Sequence, residues 1–76
     1  MLKMNYPCQL TNREIEILRL LAEGWSNKQI AGELYLTVRT VKFHTGNIYK
    51  RLGINSRAEA IIWSWKHREI EYSADD

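Results

Sequence analysis

SNKQIAGELYLTVRTVKFHTGNIYKRL, residues 26–52, reads as a short helix, a brief turn at Tyr35, Leu36 and Thr37, and a longer helix. Ser26 and Gln29 have the spacing of a capping box, in which each side chain satisfies a backbone N–H left free at a helix start. Trp25 and Ile30 flank it as a hydrophobic staple. These signals predict a helix over 27–34 that buries Ile30, Ala31 and Leu34. Thr37 caps the next helix, with Leu36 and Val41 as its staple, and Gly53 closes it. Val41, Thr45, Ile48 and Leu52 recur at helical spacing and form its inward stripe. A short turn forces a sharp crossing, which is helix-turn-helix geometry. With Val41 as the buried centre and about 100° of rotation per residue, Arg39, Phe43, Gly46 and Lys50 lie nearly opposite, flanked by Lys42 and Asn47.

The same signals recur on either side. Thr11 and Glu14 form a capping box, and Gly24 supplies a left-handed stop, so a helix is predicted over 12–23 with Ile15, Leu18, Leu21 and Ala22 on its inner face. Ser56 and Glu59 form a third box and start a helix over 57–68. Nothing reads as a strand, and no segment repeats. The expectation is an all-α, four-helix bundle-like domain containing a helix-turn-helix, without winged elements. Residues 1–9 read as an N-terminal tail or linker end because Pro7 discourages helix before it. The domain proper spans 10–68. Residues 69–76 read as an acidic tail that frays.

Length and composition narrow the classes. Seventy-six residues make one small domain or a piece of a longer chain. A domain of this size buries little surface, so its stability is marginal without an oligomer, a metal or a disulfide. Cys8 is the only cysteine, which excludes an internal disulfide. His44 and His67 have no partners at zinc-ligand spacing, so no metal and no cofactor are expected. No acid/base pair, activated nucleophile or phosphate-cradling loop suggests an enzyme, so no catalytic residue is assigned. No long apolar run suggests a membrane span, and a cytoplasmic protein is expected.

Charge is unevenly placed. Residues 25–57 hold Lys28, Arg39, Lys42, Lys50, Arg51 and Arg57 against Glu33 alone, whereas the whole chain carries only +2. A cationic patch on a nearly neutral chain points to a polyanionic partner. On the longer helix, Lys42 and Phe43 sit in the N-terminal half, the part that enters a major groove. Lys42 can donate to guanine O6 or N7, and Phe43 can meet a thymine methyl unless it is buried against Tyr49 or the chain end. Thr40, His44, Asn47 and Lys50 offer donors to phosphates, with Arg39 on the same outward face. Asn27 and Lys28 stand at a helix N-terminus, where free N–H groups also attract an anion. Arg51 and Arg57 either join them or pair within the domain. Gly46 is unusual inside a helix and is either a point of close DNA approach or a neutral change. The last helix is apolar nearly all round, through Ala58, Ala60, Ile61, Ile62, Trp63 and Trp65. Such a helix suggests a partner surface, a second copy above all, unless both tryptophans fold back onto the first helix.

Leu10-Thr11 with Arg13-Glu14, Gly24 with Ser26-Asn27, Ile30-Ala31, Thr40-Val41-Lys42 with His44, Asn47-Ile48, and Leu52-Gly53 with Ser56-Arg57 together resemble the LuxR/FixJ-type (GerE-like) helix-turn-helix domain of bacterial transcription regulators. The likeness covers about 10–67. The stretch HTGNIYKRLGINSRAEAI is particularly similar to the terminal domains of large MalT-like regulators. The resemblance implies a sequence-specific, DNA-binding transcription regulator whose third helix enters the major groove and whose fourth helix forms a homodimer interface. It implies base contacts from Lys42 and Phe43, backbone contacts from Thr40, His44, Asn47 and Lys50, and a dimer face at Ala58, Ile61, Ile62 and Trp65. Gly46 departs from the pattern: many members carry a long base-reading side chain there. The implied partners are double-stranded DNA, a second copy and RNA polymerase, met in the bacterial cytoplasm at the nucleoid. Members usually carry a sensing domain upstream, so the chain reads either as a stand-alone regulator or as the effector end of a longer one. The alternatives are a sigma-factor-like promoter-reading domain, which shares the LT…E…IA…TVK skeleton, and a protein-interaction module without DNA binding.

Overall fold

The computed structural model, which describes residues 10–75 and their side chains as far as His67, contains four α-helices: α1 (Asn12–Ala22), α2 (Asn27–Leu34), α3 (Val38–Leu52) and α4 (Arg57–Asp75). No strand occurs among the described residues. The expected tail at 1–9 lies outside them, as does Asp76.

Side-chain caps set the starts. The Thr11 hydroxyl accepts from Glu14 N–H at 3.1 Å, and the Glu14 carboxylate accepts from Thr11 N–H at 2.9 Å. Ser26 and Gln29 repeat the exchange at 3.1 and 2.9 Å. Thr37 accepts from Thr40 N–H at 3.1 Å, and the two hydroxyls lie 3.0 Å apart. The expected box at α4 forms by half. Ser56 accepts from Glu59 N–H at 3.2 Å, but the Glu59 carboxylate reaches one residue further back, to Asn55 N–H at 2.9 Å. Either way a free N–H at the helix start is satisfied.

The ends follow a common device. Gly24 takes φ +94°, Trp25 N–H donates to Leu20 C=O, and Gly24 N–H donates to Leu21 C=O. This is the Schellman arrangement. Gly53 (φ +69°) closes α3, with Ile54 N–H on Tyr49 C=O. Tyr35 closes α2 in the same left-handed region without being glycine (φ 58°, ψ 42°). α4 has no glycine or proline to stop it and continues past the expected end at 68 to Asp75.

α1 touches all three other helices, and α2 packs on α3. The core holds Ile17, Leu18, Leu21, Ile30, Ala31, Val41, Ile48 and Ala60. α1 therefore needs a wide inner face. Ile17, fully buried, joins Leu18, Leu21 and Ala22, whereas Ile15 is only half-buried. Leu34 and Leu52 pack on the rim of the cluster.

Polar bonds lock the helices together. Glu14 is buried, and its carboxylate, already bonded to Thr11 N–H, also accepts from the Arg51 guanidinium. The start of α1 is thereby tied to the end of α3. The Arg57 guanidinium donates to the Trp25 carbonyl, tying the start of α4 to the α1–α2 turn. Tyr49 lies near Arg57; burial pushes its phenol above the ordinary value, and the Arg57 charge pulls it back down.

Tyr35 gives a direct test of the turn. Left-handed backbone costs a non-glycine residue roughly 1–2 kcal/mol, and a ring that is 94% exposed has little packing to lose. Tyr35→Gly is expected to raise stability by about 0.5–1 kcal/mol after the entropic cost of glycine. Thermal denaturation then shows a higher Tm; a lower one would contradict the left-handed turn.

Candidate nucleic-acid interface

α3 is two-faced because its length is spent on one buried stripe. Val41, Thr45 and Ile48 are buried. The Thr45 hydroxyl donates to Lys42 C=O at 2.9 Å, so its burial leaves no orphan polar group. Opposite the stripe, Arg39, Lys42, Phe43, Gly46 and Lys50 are exposed. Thr40, His44 and Asn47 are half-buried along one flank. Phe43 is 66% exposed, which excludes burial against Tyr49; its ring meets His44 edge-on, with centroids 5.8 Å apart. On α2, Lys28 is exposed and Asn27 half-buried in the first turn.

The structure separates the cations into two groups. Arg51 is held by Glu14 and Arg57 by the Trp25 carbonyl, so both guanidiniums are committed inside the domain. Lys28, Arg39, Lys42 and Lys50 make no ion pair among the described residues. All four project from α2 and α3. Two polar atoms on the same elements are buried without a hydrogen-bond partner among the described residues, Asn27 Oδ1 and His44 Nδ1.

Gly46 lies at the middle of the exposed face in ordinary helical backbone. A Cβ built there meets nothing within 4 Å. The fold therefore gives no steric reason for glycine.

α4 presents two faces as well. Ala60 and Ser64 are buried, with Trp63 and His67 half-buried beside them; the Trp63 and His67 rings stack at 3.7 Å. On the far side Ala58, Ile62 (57%) and Trp65 (49%) are exposed. Ile61, expected on this outer face, lies between the two and packs against the core. Trp65 is partly folded back: its indole N–H donates to Ala22 C=O at 3.3 Å. A groove of about 210 Å³ beside Ile62 is lined by Ile54, Glu59, Trp63 and Lys66. Among the described residues no His/Cys/Asp/Glu group has the makings of a metal site, and no helix is long and apolar enough to cross a membrane.

Residues 8–64 match the sequence model of the bacterial regulatory proteins of the luxR family. The chain belongs to the luxR family. The domain is 44% identical over 62 residues to the response regulator protein VraR of Staphylococcus aureus, and to the same extent to VraR of Staphylococcus saprophyticus and Staphylococcus epidermidis. Each match covers 82% of this chain and 30% of the relative, so the chain spans under a third of the length of these relatives. Among solved structures it resembles the response regulator ChrA of a heme-sensing two-component system, with a TM-score of 0.74 and 41% identity over 84% of this chain and 32% of that one. Family membership settles the choice between the two helix-turn-helix readings against the sigma-factor one, and makes this luxR-family domain a DNA-binding, regulatory module rather than a member of an enzyme family.

The exposure of Phe43 makes a simple prediction. Phe43→Ala is expected to change the free energy of unfolding in urea by less than about 0.5 kcal/mol, as for other surface substitutions. A loss of several times that would show the ring to be part of the packing.

Proposed function

We propose that this luxR-family domain reads duplex DNA by inserting the N-terminal half of α3 into the major groove, as the effector part of a cytoplasmic transcription regulator acting at the nucleoid. The observation that carries the reading is the outer face of α2 and α3: four cations without internal partners, opposite a fully buried stripe. Lys42 donates to a guanine edge, and Phe43 lies against a thymine methyl. Arg39, Lys50 and Lys28 neutralise phosphates, and Thr40 and Asn47 donate to them. Asn27 and His44 bury one polar atom each; their other polar atoms, Nδ2 and Nε2, are the phosphate donors in this reading. A protein-interaction module without DNA would leave those cations with nothing to do.

The reading extends to a homodimer on DNA and to contact with RNA polymerase. Ala58, Ile62 and Trp65 give α4 an exposed apolar stripe, with Ile61 at its inner edge. A two-fold pairing through that stripe would place two α3 helices about one DNA turn, ~34 Å, apart.

Three measurements test these assignments. Lys42→Ala is expected to weaken binding to a selected site by about 1–3 kcal/mol and to flatten sequence preference, with binding to random duplex nearly unchanged. Equal losses on both DNAs would remove Lys42 from base reading. Binding should also weaken steeply with salt through counterion release; a flat response would favour the protein-interaction reading. For the dimer, Ile62→Glu is the clean variant, because Ile61 supports the core and Trp65 is bonded to α1. It should abolish cooperative binding to paired half-sites while leaving single half-site affinity and Tm in place. Cooperativity that survives would move the interface elsewhere.

A further inference from the structure

α4 carries a charge pattern that its own fold does not use. Glu59, Ile62, Trp63 and Lys66 stand one and two helical turns apart and line one groove with Ile54. Glu59 and Lys66 are exposed, and neither makes an ion pair among the described residues. One carboxylate oxygen of Glu59 accepts from Asn55 N–H, which leaves the other for a partner. At about 100° per residue around Ile62, Glu59 and Lys66 lie about 60° and 40° to one side, and Ala58 and Trp65 about 40° and 60° to the other. All five are exposed. The midpoint of Glu59 and Lys66 falls between Ile62 and Trp63, and that of Ala58 and Trp65 falls between Ile61 and Ile62. The two midpoints are about 1.5 Å apart along the helix, close enough for one two-fold axis to serve both pairs. The combination is confined to α4: α1 and α2 expose no large apolar side chain, and α3 has no acidic residue.

We infer that Glu59 and Lys66 select the partner of α4: they direct it to an antiparallel second copy of this chain and reject helices without the matching charges. In a two-fold pair of antiparallel helices, each flank meets the same flank of the partner at opposite heights. Glu59 then faces Lys66 of the partner subunit, and Lys66 faces Glu59 of the partner subunit. On the other flank Trp65 covers Ala58 of the partner subunit, a large side chain against a small one, and the two Ile62 side chains meet near the axis. A parallel pair would set carboxylate against carboxylate and ammonium against ammonium. Charges at an exposed rim add little affinity, because water screens them and ordering long side chains costs entropy. Like charges held face to face still cost enough to decide orientation and partner. The inference rests on the proposed pairing through α4.

The experiment mixes the wild type with a size-tagged, charge-swapped variant, Glu59→Lys with Lys66→Glu, on a duplex carrying two half-sites selected by the wild type. Gel shift separates the two like pairs from the mixed pair. Each protein alone should bind cooperatively, because the swap leaves every antiparallel contact attractive. The mixed pair should fall about fivefold or more below its statistical share, since it opposes two carboxylates at one contact and two ammonium groups at the other. Lys66→Glu alone keeps the Asn55 bond and makes both contacts of its own pair repulsive. It should lose about fivefold or more in cooperativity, with Tm and single half-site affinity in place. A mixed pair that dominates means a parallel arrangement, and a statistical mixture means that the charges lie outside the contact; either overturns the inference while cooperative pairing stands. A swapped variant that folds but binds without cooperativity overturns it as well, as does a Lys66→Glu variant that pairs like the wild type. A wild type without cooperativity overturns the pairing through α4, and the inference with it.

Discussion

The outer face of α3 depends on how its inner face is filled. Val41, Thr45 and Ile48 are buried in a core that α1 supplies with Ile17, Leu18 and Leu21. Burying a side chain of the Val or Ile class stabilises by about 1.5–3 kcal/mol, and in a domain this small there are few such side chains to spend. The stripe therefore fixes the rotation of α3 about its axis. Once that rotation is fixed, Lys42, Phe43, Gly46 and Lys50 have nowhere to go but outward. A slip of one residue would carry them about 100° around the rod and put cations into the core.

The basic residues divide by chemistry as well as by position. Arg51 and Arg57 are bonded within the domain, one to a buried carboxylate and one to a backbone carbonyl. Guanidinium suits that work: it is planar, always charged, weakly hydrated and carries several donors in fixed directions. Three of the four outward cations are lysines, Lys28, Lys42 and Lys50, compact charges on flexible stems that can follow a phosphate or a base edge. The patch that looks uniformly cationic in sequence is thus two systems. One braces α1 against α3 and α4, and the other is left free for a polyanion. Removing a guanidinium would loosen the frame that aims α3, so its effect on DNA binding would be indirect.

Much of this was legible before the fold was seen, because it is written in local chemistry. The Thr11/Glu14 and Ser26/Gln29 boxes act within one turn of helix, so their spacing suffices, and α2 starts and stops where the residues say it should. What sequence missed depends on distant neighbours. Ile17 rather than Ile15 is fully buried because α1 is surrounded by three helices, a fact that a single stripe cannot express. Ile61 looks like one more residue of an outer apolar face until the core is seen to reach it. Glu59 has the spacing for Ser56 but bonds Asn55, since a flexible carboxylate can reach either N–H. At the interface, the outward residues of α3 could be read from the helical period alone. The commitment of Arg51 and Arg57 could not, because Glu14 and Trp25 are more than thirty residues away in the chain.

The most direct test of α3 as the reading element is a titration of the isotope-labelled domain with a selected duplex, followed residue by residue through backbone amide shifts. The largest changes are expected on Arg39–Lys50 and on Asn27–Ile30 at the start of α2, while α1 stays near its free positions. Changes concentrated on α1 or on the inner face of α4, with the first half of α3 silent, would contradict it.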